Sequence, residues 1–183
     1  LIIDFDIYNN EKSFQYSEYT KEQNELMFLH ASVYRFIIED ENDLNEISKE
    51  IDAFLLGNFN EDTVKICGKN RELLEIDPTL PEALFESVFI ETFGRESLDK
   101  VRREFPVIDV NGQERWIDYL IQTTSFDIAI EKNGEKYHHP LITRKAKYIN
   151  QLVKQNSLVA YGMKVYRWSL ESMKFKDTFS DEM

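Results

Sequence analysis

Cysteine is the rarest residue of this chain. The 183-residue sequence contains one cysteine, Cys67, which excludes a disulfide framework and is typical of a protein of the reducing cytosol. Only six glycines and four prolines are present, so a collagen-like or low-complexity chain is also excluded. No apolar run approaches the roughly 18 residues that span a bilayer, and no basic-then-apolar leader is visible. We therefore expect a cytoplasmic protein that makes no membrane contact.

Basic residues are also in short supply, but unevenly so. The chain has 22 Lys and Arg against 34 Asp and Glu, a net charge of −12 that is unfavourable for binding nucleic acid. Residues 1–100 hold 9 basic and 23 acidic side chains, whereas residues 101–175 hold 12 and 8. The second half is therefore the part that could face an anion. A hydrophobic content of 42% is enough to bury a core.

Residues 1–75 carry no catalytic motif. The stretch "LIIDFDIY" alternates as a strand does, and "KEQNELMFLHASVYRFIIED" has Leu26, Leu29 and Val33 at helical spacing. In "NDLNEISKEIDAFLLG" an apolar stripe is followed by Gly57 at the position that ends a helix. The stripe consists of Leu44, Ile47, Ile51 and Phe54. We interpret this region as a mostly helical N-terminal extension, a cap or a docking element.

Residues 76–175 read as an α/β core, with residues 176–183 as a tail. In "DPTLPEALFESVFIETFG", Pro81 suits a helix start and Gly94 a helix end. Asn111-Gly112 predicts a hairpin, and a later long helix allows a crossover back to the sheet. The expected order is a helix, a three-stranded antiparallel meander, a helix and a strand. The predicted strands are 105–110, 114–122, 126–132 and 163–169, and the predicted helices are 81–93 and 141–161.

Two acids stand at corresponding points of the second hairpin. If Gln122 pairs with Asp127, the same antiparallel register pairs Asp118 with Glu131, with Cβ atoms roughly 4.5–5.5 Å apart. Opposed anions are unfavourable unless a cation lies between them, and Mg²⁺ takes carboxylate oxygens. Asp118 also interrupts an apolar strand, where an unpaired carboxylate is costly. The pattern predicts a metal site; the plainer alternative is a water-facing Asp118 and a strand-end charge at Glu131.

Residues 78–170 resemble the PD-(D/E)XK restriction-endonuclease-like superfamily, in particular its branch related to very-short-patch-repair endonucleases. That pattern runs from a helical acid through acids on two successive strands to a turn with a histidine, a basic helix and a strand that ends in Arg-aromatic. The acids match Glu86, Asp118 and Glu131, and the histidine matches His138. The helix matches "TRKAKYINQLVKQNSLVAYG", and the last strand matches "KVYRWS".

The resemblance implies a restriction-endonuclease-like fold and a metal-dependent endonuclease that hydrolyses DNA phosphodiester bonds. It further implies a module of a larger DNA-processing protein, such as a helicase fusion. Asp118 and Glu131 would hold Mg²⁺ or Mn²⁺, Glu86 would complete the metal site, and His138 would donate a proton or support the site. The DNA-binding residues would be Arg144, Lys145, Lys147 and Lys154; the ordinary alternative is a solvated helix face.

One departure from the family pattern concerns the lysine expected two residues after Glu131, where the short-patch-like branch has an acid. This chain has Asn133 there, and Lys132 should point to the opposite face of the strand. We consider Lys147, Lys145 and His138 as substitutes, and we expect Lys147 or Arg144 to point into the catalytic pocket. The alternative function is a catalytically inactive module of the same fold that binds nucleic acid or protein.

Overall fold

The computed structural model describes residues 2–6, 16–55, 80–133, 144–169 and 173. Within these ranges, no helix is both long enough and apolar enough to cross a membrane. The N-terminal part contains β1 (Ile2–Asp6), α1 (Tyr16–Phe28), β2 (Val33–Ile37) and α2 (Glu41–Leu55). The remainder contains α3 (Leu80–Phe93), a 3-10 helix (Arg95–Lys100), β3 (Val101–Ile108), β4 (Glu114–Gln122), β5 (Asp127–Asn133), α4 (Lys145–Ala160) and β6 (Lys164–Ser169).

A four-stranded mixed sheet forms the centre of the fold. Its strands lie in the order β3-β4-β5-β6; the first three are antiparallel, and β6 runs parallel to β5. Helix α4 makes the crossover that a parallel return requires. This confirms the mixed α/β class and the predicted order of helix, three strands, helix and strand. The predicted β4–β5 register is also confirmed, since Gln122 pairs with Asp127 and Tyr119 with Ile130.

Helices cover the two faces of this sheet. On one face, residues of α3 pack against side chains of β4, β5 and β6, namely Phe85, Val88 and Phe89 against Tyr119, Ile130 and Trp168. On the other face, residues of α4 pack against the same strands, namely Leu158 and Val159 against Leu120, Ala129 and Val165. Neighbouring residues of β4 and β5 are thus divided between two cores, as Tyr119 and Leu120 are, and each buried side chain contributes about 1.5–3 kcal/mol.

Strand β3 and its turn differ from the predicted bounds. The strand begins at Val101 instead of 105. The prediction missed its first residues because Arg102, Arg103 and Glu104 are charged and do not have the apolar pattern of a strand. The Arg103 side chain is buried and forms an ion pair with Glu86. The strand ends before Asp109, whose Oδ1 accepts hydrogen bonds from backbone N–H groups in the turn that follows. A buried charged residue cannot be recognised from hydrophobic periodicity alone.

The N-terminal extension contains one more strand than the sequence indicated. Helix α1 ends at Phe28, His30 has a left-handed φ of 60°, and Val33 belongs to β2, parallel to β1. The helical spacing of Val33 was misleading because the stretch "VYRFI" is rich in β-branched and aromatic residues. Helix α2 lies where predicted and begins after Asp40, whose carboxylate accepts the N–H groups of Asn42 and Asp43. Gly57 and Cys67 lie outside the described residues.

Two asparagines join the extension to the sheet. Asn24 of α1 donates to the carbonyl of Arg167 at 2.7 Å and accepts the N–H of Arg167 at 2.8 Å. Asn156 of α4 makes the same two bonds, each 2.9 Å long, with the backbone of Arg35 in β2. A side-chain amide offers a donor and an acceptor, so each asparagine can pair with both backbone groups of one strand residue. It thereby makes the two hydrogen bonds that a neighbouring strand would otherwise make at that sheet edge. The extension and the sheet therefore complete each other's backbone hydrogen bonding.

We predict that Asn156→Ala destabilises the whole described fold. The substitution leaves the buried N–H and C=O of Arg35 without partners, which costs about 2–4 kcal/mol of unfolding free energy. Urea unfolding measures the loss. The matched control is Asn150→Ala on the same helix, an exposed residue whose amide makes a 3.4 Å contact with Arg115, and it should cost less than about 0.5 kcal/mol. Equal losses for the two variants would contradict this role of Asn156.

Candidate active site on strands β4 and β5

Asp118 and Glu131 lie side by side at the end of the β4–β5 ladder. Backbone pairing is present as far as Tyr119 and Ile130, and the continued register sets Asp118 opposite Glu131. Beyond that point a side chain replaces the backbone as the acceptor, because Oδ2 of Asp118 accepts the backbone N–H of Lys132 at 2.6 Å. The two acids are close enough for the charge of Asp118 to raise the pKa of Glu131. The Asp118 carboxylate therefore contacts β5 at the residue that follows Glu131.

The backbone of β3 is strained at the residue that faces Asp118. The β3–β4 pairing passes from Arg103–Tyr119 to Phe105–Ile117 and omits Glu104, the residue that faces Asp118 in this register. Glu104 has a φ of 47°, in the left-handed region that costs a non-glycine residue about 1–3 kcal/mol. Asp118 thus stands where the ladders on both sides of β4 are interrupted. Strain of this kind concentrates at functional sites.

Lys154 of α4 supplies the positive charge at this pair. Its Nζ lies 2.6 Å from Oε2 of Glu131, and the Glu131 side chain is only 6% exposed. Arg167, also buried, is the register partner of Glu131 on β6. Burial raises the pKa of Glu131, Lys154 opposes that rise, Asp118 adds to it and Arg167 opposes it; the net direction is upward. Glu131 is therefore a buried carboxylate whose charge is only partly compensated.

The lysine that contacts Glu131 is not one of those expected to point into the pocket. Arg144 and Lys147 are exposed at the start of α4, and Lys154 lies seven residues after Lys147, about two turns along the same helical face. Lys145 forms ion pairs with Glu39 and Asp43 of the N-terminal extension. The spacing from Pro140 favoured the first turns of the helix, but the packing of α4 on the sheet brings a later turn over Glu131.

Lys132 points away from the pair, as its place in the strand predicts. Its Nζ lies 2.9 Å from Oε1 of Glu82 on α3 and 5.0 Å from the centre of the Tyr119 ring. Lys132 therefore does not replace the lysine that the family pattern would place at Asn133. The side chain of Asn133, together with His138 and His139, lies outside the described residues.

Glu86 requires a correction. Its Oε1 accepts the Tyr119 hydroxyl at 2.6 Å and forms an ion pair with the buried Arg103, on the α3 face of the sheet. Glu131 and Lys154 meet on the α4 face, so Glu86 does not join Asp118 and Glu131. In the described ranges, no group of three His, Cys, Asp or Glu residues could hold a metal ion. Arg103 is the physical reason, because a buried guanidinium needs a counter-ion.

This second buried cluster is hard to recognise from the sequence. Burial raises the pKa of the Tyr119 hydroxyl, and its hydrogen bond to Glu86 raises it further. Tyr119 also stacks on Phe85, with ring centres 4.3 Å apart. The one available signal was the pair of arginines, Arg102 and Arg103, directly before an apolar run. The cluster holds α3 on the sheet and leaves Asp118 and Glu131 to the opposite face.

The atoms around Glu131 fit a hard divalent cation. Its Oε1 is buried and has no hydrogen-bond partner in the part of the chain that the structure describes, and a second carboxylate, that of Asp118, lies on the neighbouring strand. Magnesium in proteins is commonly held by one or two carboxylates while water and substrate phosphate complete its shell. A third protein ligand is therefore not required for such an ion to bind. The pair can also act without an ion, as a buried acid compensated by Lys154.

Comparison of the chain with protein-family models, with curated proteins and with solved structures found no match. Any functional argument therefore depends on the chemistry of the residues themselves. In this chain that chemistry is concentrated at two carboxylates on neighbouring strands, a lysine from the helix that packs on them, and a strained residue beside one of the carboxylates.

We predict that Lys154→Met destabilises the protein by about 2–4 kcal/mol, because it leaves Glu131 buried without its nearest positive charge. Adding Glu131→Gln in the same chain should recover most of that loss, since the buried acid that Lys154 compensates is then absent. Lys147→Met, at an exposed position of the same helix, is the matched control, with an expected change below about 0.5 kcal/mol. Chemical unfolding of the four proteins measures these values. No recovery in the double variant would refute the pairing.

We also predict that Glu131→Gln stabilises the protein increasingly as the pH rises. The pKa of Glu131 is higher in the folded than in the unfolded chain, so folding favours the protonated acid. That contribution is complete below the ordinary carboxyl range and is lost as the pH rises through the raised pKa. Glutamine cannot ionise and loses nothing. The difference in unfolding free energy, measured between about pH 4 and pH 8, should grow with pH; a difference that shrinks would mean that the pKa is lowered.

Proposed function

We propose that this protein is a metal-dependent endonuclease of restriction-endonuclease-like fold that hydrolyses DNA phosphodiester bonds at Asp118, Glu131 and Lys154. The observation that carries the proposal is the meeting of two carboxylates from neighbouring strands with a lysine from the crossover helix. The order of α3, β3, β4, β5, α4 and β6 supports the fold assignment. On this proposal the chain serves as a module of a larger DNA-processing protein.

Asp118 and Glu131 would hold Mg²⁺ or Mn²⁺. The bound ion would supply a water acidic enough to act as nucleophile and positive charge for the leaving oxygen. Glu131 is suited to this task because its Oε1 is already desolvated and accepts no hydrogen bond from a described residue. Asp118 is held in place by a hydrogen bond, since its Oδ2 accepts the backbone N–H of Lys132. Both acids are therefore positioned before any ligand arrives, which reduces the reorganisation that binding requires.

Lys154 takes the place of the lysine that is missing at Asn133. Its ammonium group lies 2.6 Å from Glu131, where it can donate to a phosphate oxygen that binds beside the carboxylates. It enters from α4 instead of from β5, and its side chain is 18% exposed, so a phosphate can reach it. The exposed Arg144 and Lys147 are the residues of the same helix suited to contact the DNA backbone.

A second candidate, the catalytically inactive module of the same fold, is favoured by the way charges are paired. Lys154 already compensates Glu131, which reduces the need for a metal ion. Several other basic groups of the second half also have acidic partners, including Arg115 with Asp109 and Lys145 with Glu39. A surface of paired charges releases few counter-ions on DNA, so affinity would be low. This module would bind nucleic acid or a protein without cutting.

We predict that the protein nicks supercoiled plasmid when Mg²⁺ or Mn²⁺ is present and that Asp118→Asn abolishes the cleavage. Lys154→Gln should reduce the rate by tenfold or more, about 1.4 kcal/mol of barrier, while Lys49→Gln, at an exposed lysine of α2, should reduce it by less than about threefold. The charge change is the same in the two lysine variants, so the comparison isolates the position beside Glu131. Nicking that Asp118→Asn leaves intact would show that the activity comes from another site or a contaminant.

Metal binding separates the two candidate functions. Calorimetric titration of Mn²⁺ into the wild type should show binding that is lost in Asp118→Asn, whose thermal unfolding should be little changed because the amide oxygen can still accept the N–H of Lys132. A folded wild type that neither binds Mn²⁺ nor nicks plasmid would refute the endonuclease and leave the inactive module.

A further inference from the structure

The α3 face of the sheet contains a cavity of about 320 Å³ that the proposed nuclease chemistry does not use. It lies between the C-terminal half of α3, the 3-10 helix and the sheet. Three isoleucines of β4 and β5 line it, together with Phe89, Phe93, Tyr166 and Trp168. Pockets for small molecules commonly occupy about 300–1,000 Å³ and have mostly apolar walls with a few polar groups. This cavity matches both properties at the small end of the range.

Aromatic rings form extended walls of the cavity. Tyr166 and Trp168 of β6 lie nearly parallel, with ring centres 5.8 Å apart and an angle of 11° between the ring planes. The rings of Phe89 and Phe93 have centres 4.9 Å apart, and Phe93 is 42% exposed although it lines an apolar space. Flat, rigid walls of this kind suit a planar aromatic group, which can stack on one ring and meet another edge-on.

Lys100 gives the cavity its one side-chain charge among the described lining residues. It is the last residue of the 3-10 helix and is exposed, and its ammonium group has no hydrogen bond or ion pair to another described residue. Ser97, a second polar lining residue of the 3-10 helix, donates its hydroxyl hydrogen to the carbonyl of Phe93 at 2.7 Å. An ammonium group beside an apolar space attracts a ligand with an apolar body and an anionic end.

We propose that this cavity binds a small organic anion with a planar aromatic body, its ring system between the aromatic walls and its carboxylate or sulfonate group at Lys100. A nucleobase fits less well, because its several polar edge atoms would find few partners on these walls. The cavity also lies on the opposite face of the sheet from Glu131 and Lys154. The ligand site is therefore independent of the proposed nuclease site.

A matched pair of dyes tests the proposal on the full chain. Anilinonaphthalene sulfonate carries an aromatic body and one negative charge, whereas N-phenylnaphthylamine has nearly the same body without the charge. Energy transfer from tryptophan should reveal one-to-one binding of both dyes, because Trp168 forms part of the wall. Lys100→Glu should weaken the sulfonate dye by about tenfold and change the neutral dye by less than about twofold. Lys21→Glu, at an exposed lysine of α1, should change neither.

Filling the cavity gives the second arm. Ile128→Trp places a larger side chain into the space and should abolish binding of both dyes, with thermal unfolding used to confirm that the variant folds. Because Lys100 is exposed, Lys100→Glu tests the proposal even if the filled variant does not fold. The proposal is overturned if Lys100→Glu leaves sulfonate binding unchanged, if it weakens both dyes equally, or if a folded Ile128→Trp binds both dyes as the wild type does.

Discussion

The pairing register of β4 with β5 is the constraint on which the site depends. A register shifted by one residue would move Asp118 or Glu131 to the other face of its strand, and the two acids would no longer meet. The observed register, with Gln122 opposite Asp127, is set by the short connection between the strands and by the apolar residues that each face must bury. Like charges are thereby held together by backbone geometry, and Lys154 is drawn to them by electrostatics.

The two faces of the sheet handle buried charge in different ways. On the α3 face, Arg103, Glu86, Glu82 and Lys132 form ion pairs around Tyr119. On the α4 face, one buried oxygen of Glu131 has no hydrogen-bond partner among the described ranges, and burial is the main cause of its raised pKa. Each charge in these α3-face pairs has an opposite charge beside it, which stabilises packing, whereas an acid with a raised pKa is available for binding. This contrast is why the α4 face is the better candidate for chemistry.

Sequence reasoning recovered the features that depend on local pattern. The connections between β3, β4 and β5, the alternation of β5 side chains and the positions of α2, α3 and β4 follow from residues close in the chain, and so does the β4–β5 register. It failed where a distant partner decides the outcome. Val33 became a strand residue beside β1, and β3 extended through Arg103 because Glu86 compensates its charge.

The cation at Glu131 is the clearest case of such a failure. Which lysine of α4 contacts the carboxylate depends on which turn of the helix packs over β5. That position is fixed by Leu158 and Val159 in the core and by Asn156 on Arg35. None of these contacts is visible in the spacing of basic residues, which suggested Lys147. The same limit applied to Glu86, since helical spacing does not reveal that its counter-ion is Arg103 of β3.

The most direct measurement is anomalous X-ray diffraction from crystals of the protein equilibrated with Mn²⁺. The account predicts an anomalous peak within coordination distance, roughly 2.0–2.6 Å, of carboxylate oxygens of both Asp118 and Glu131. A peak at other residues only, or a fully occupied Lys154–Glu131 ion pair with no peak beside it at saturating Mn²⁺, would contradict the account.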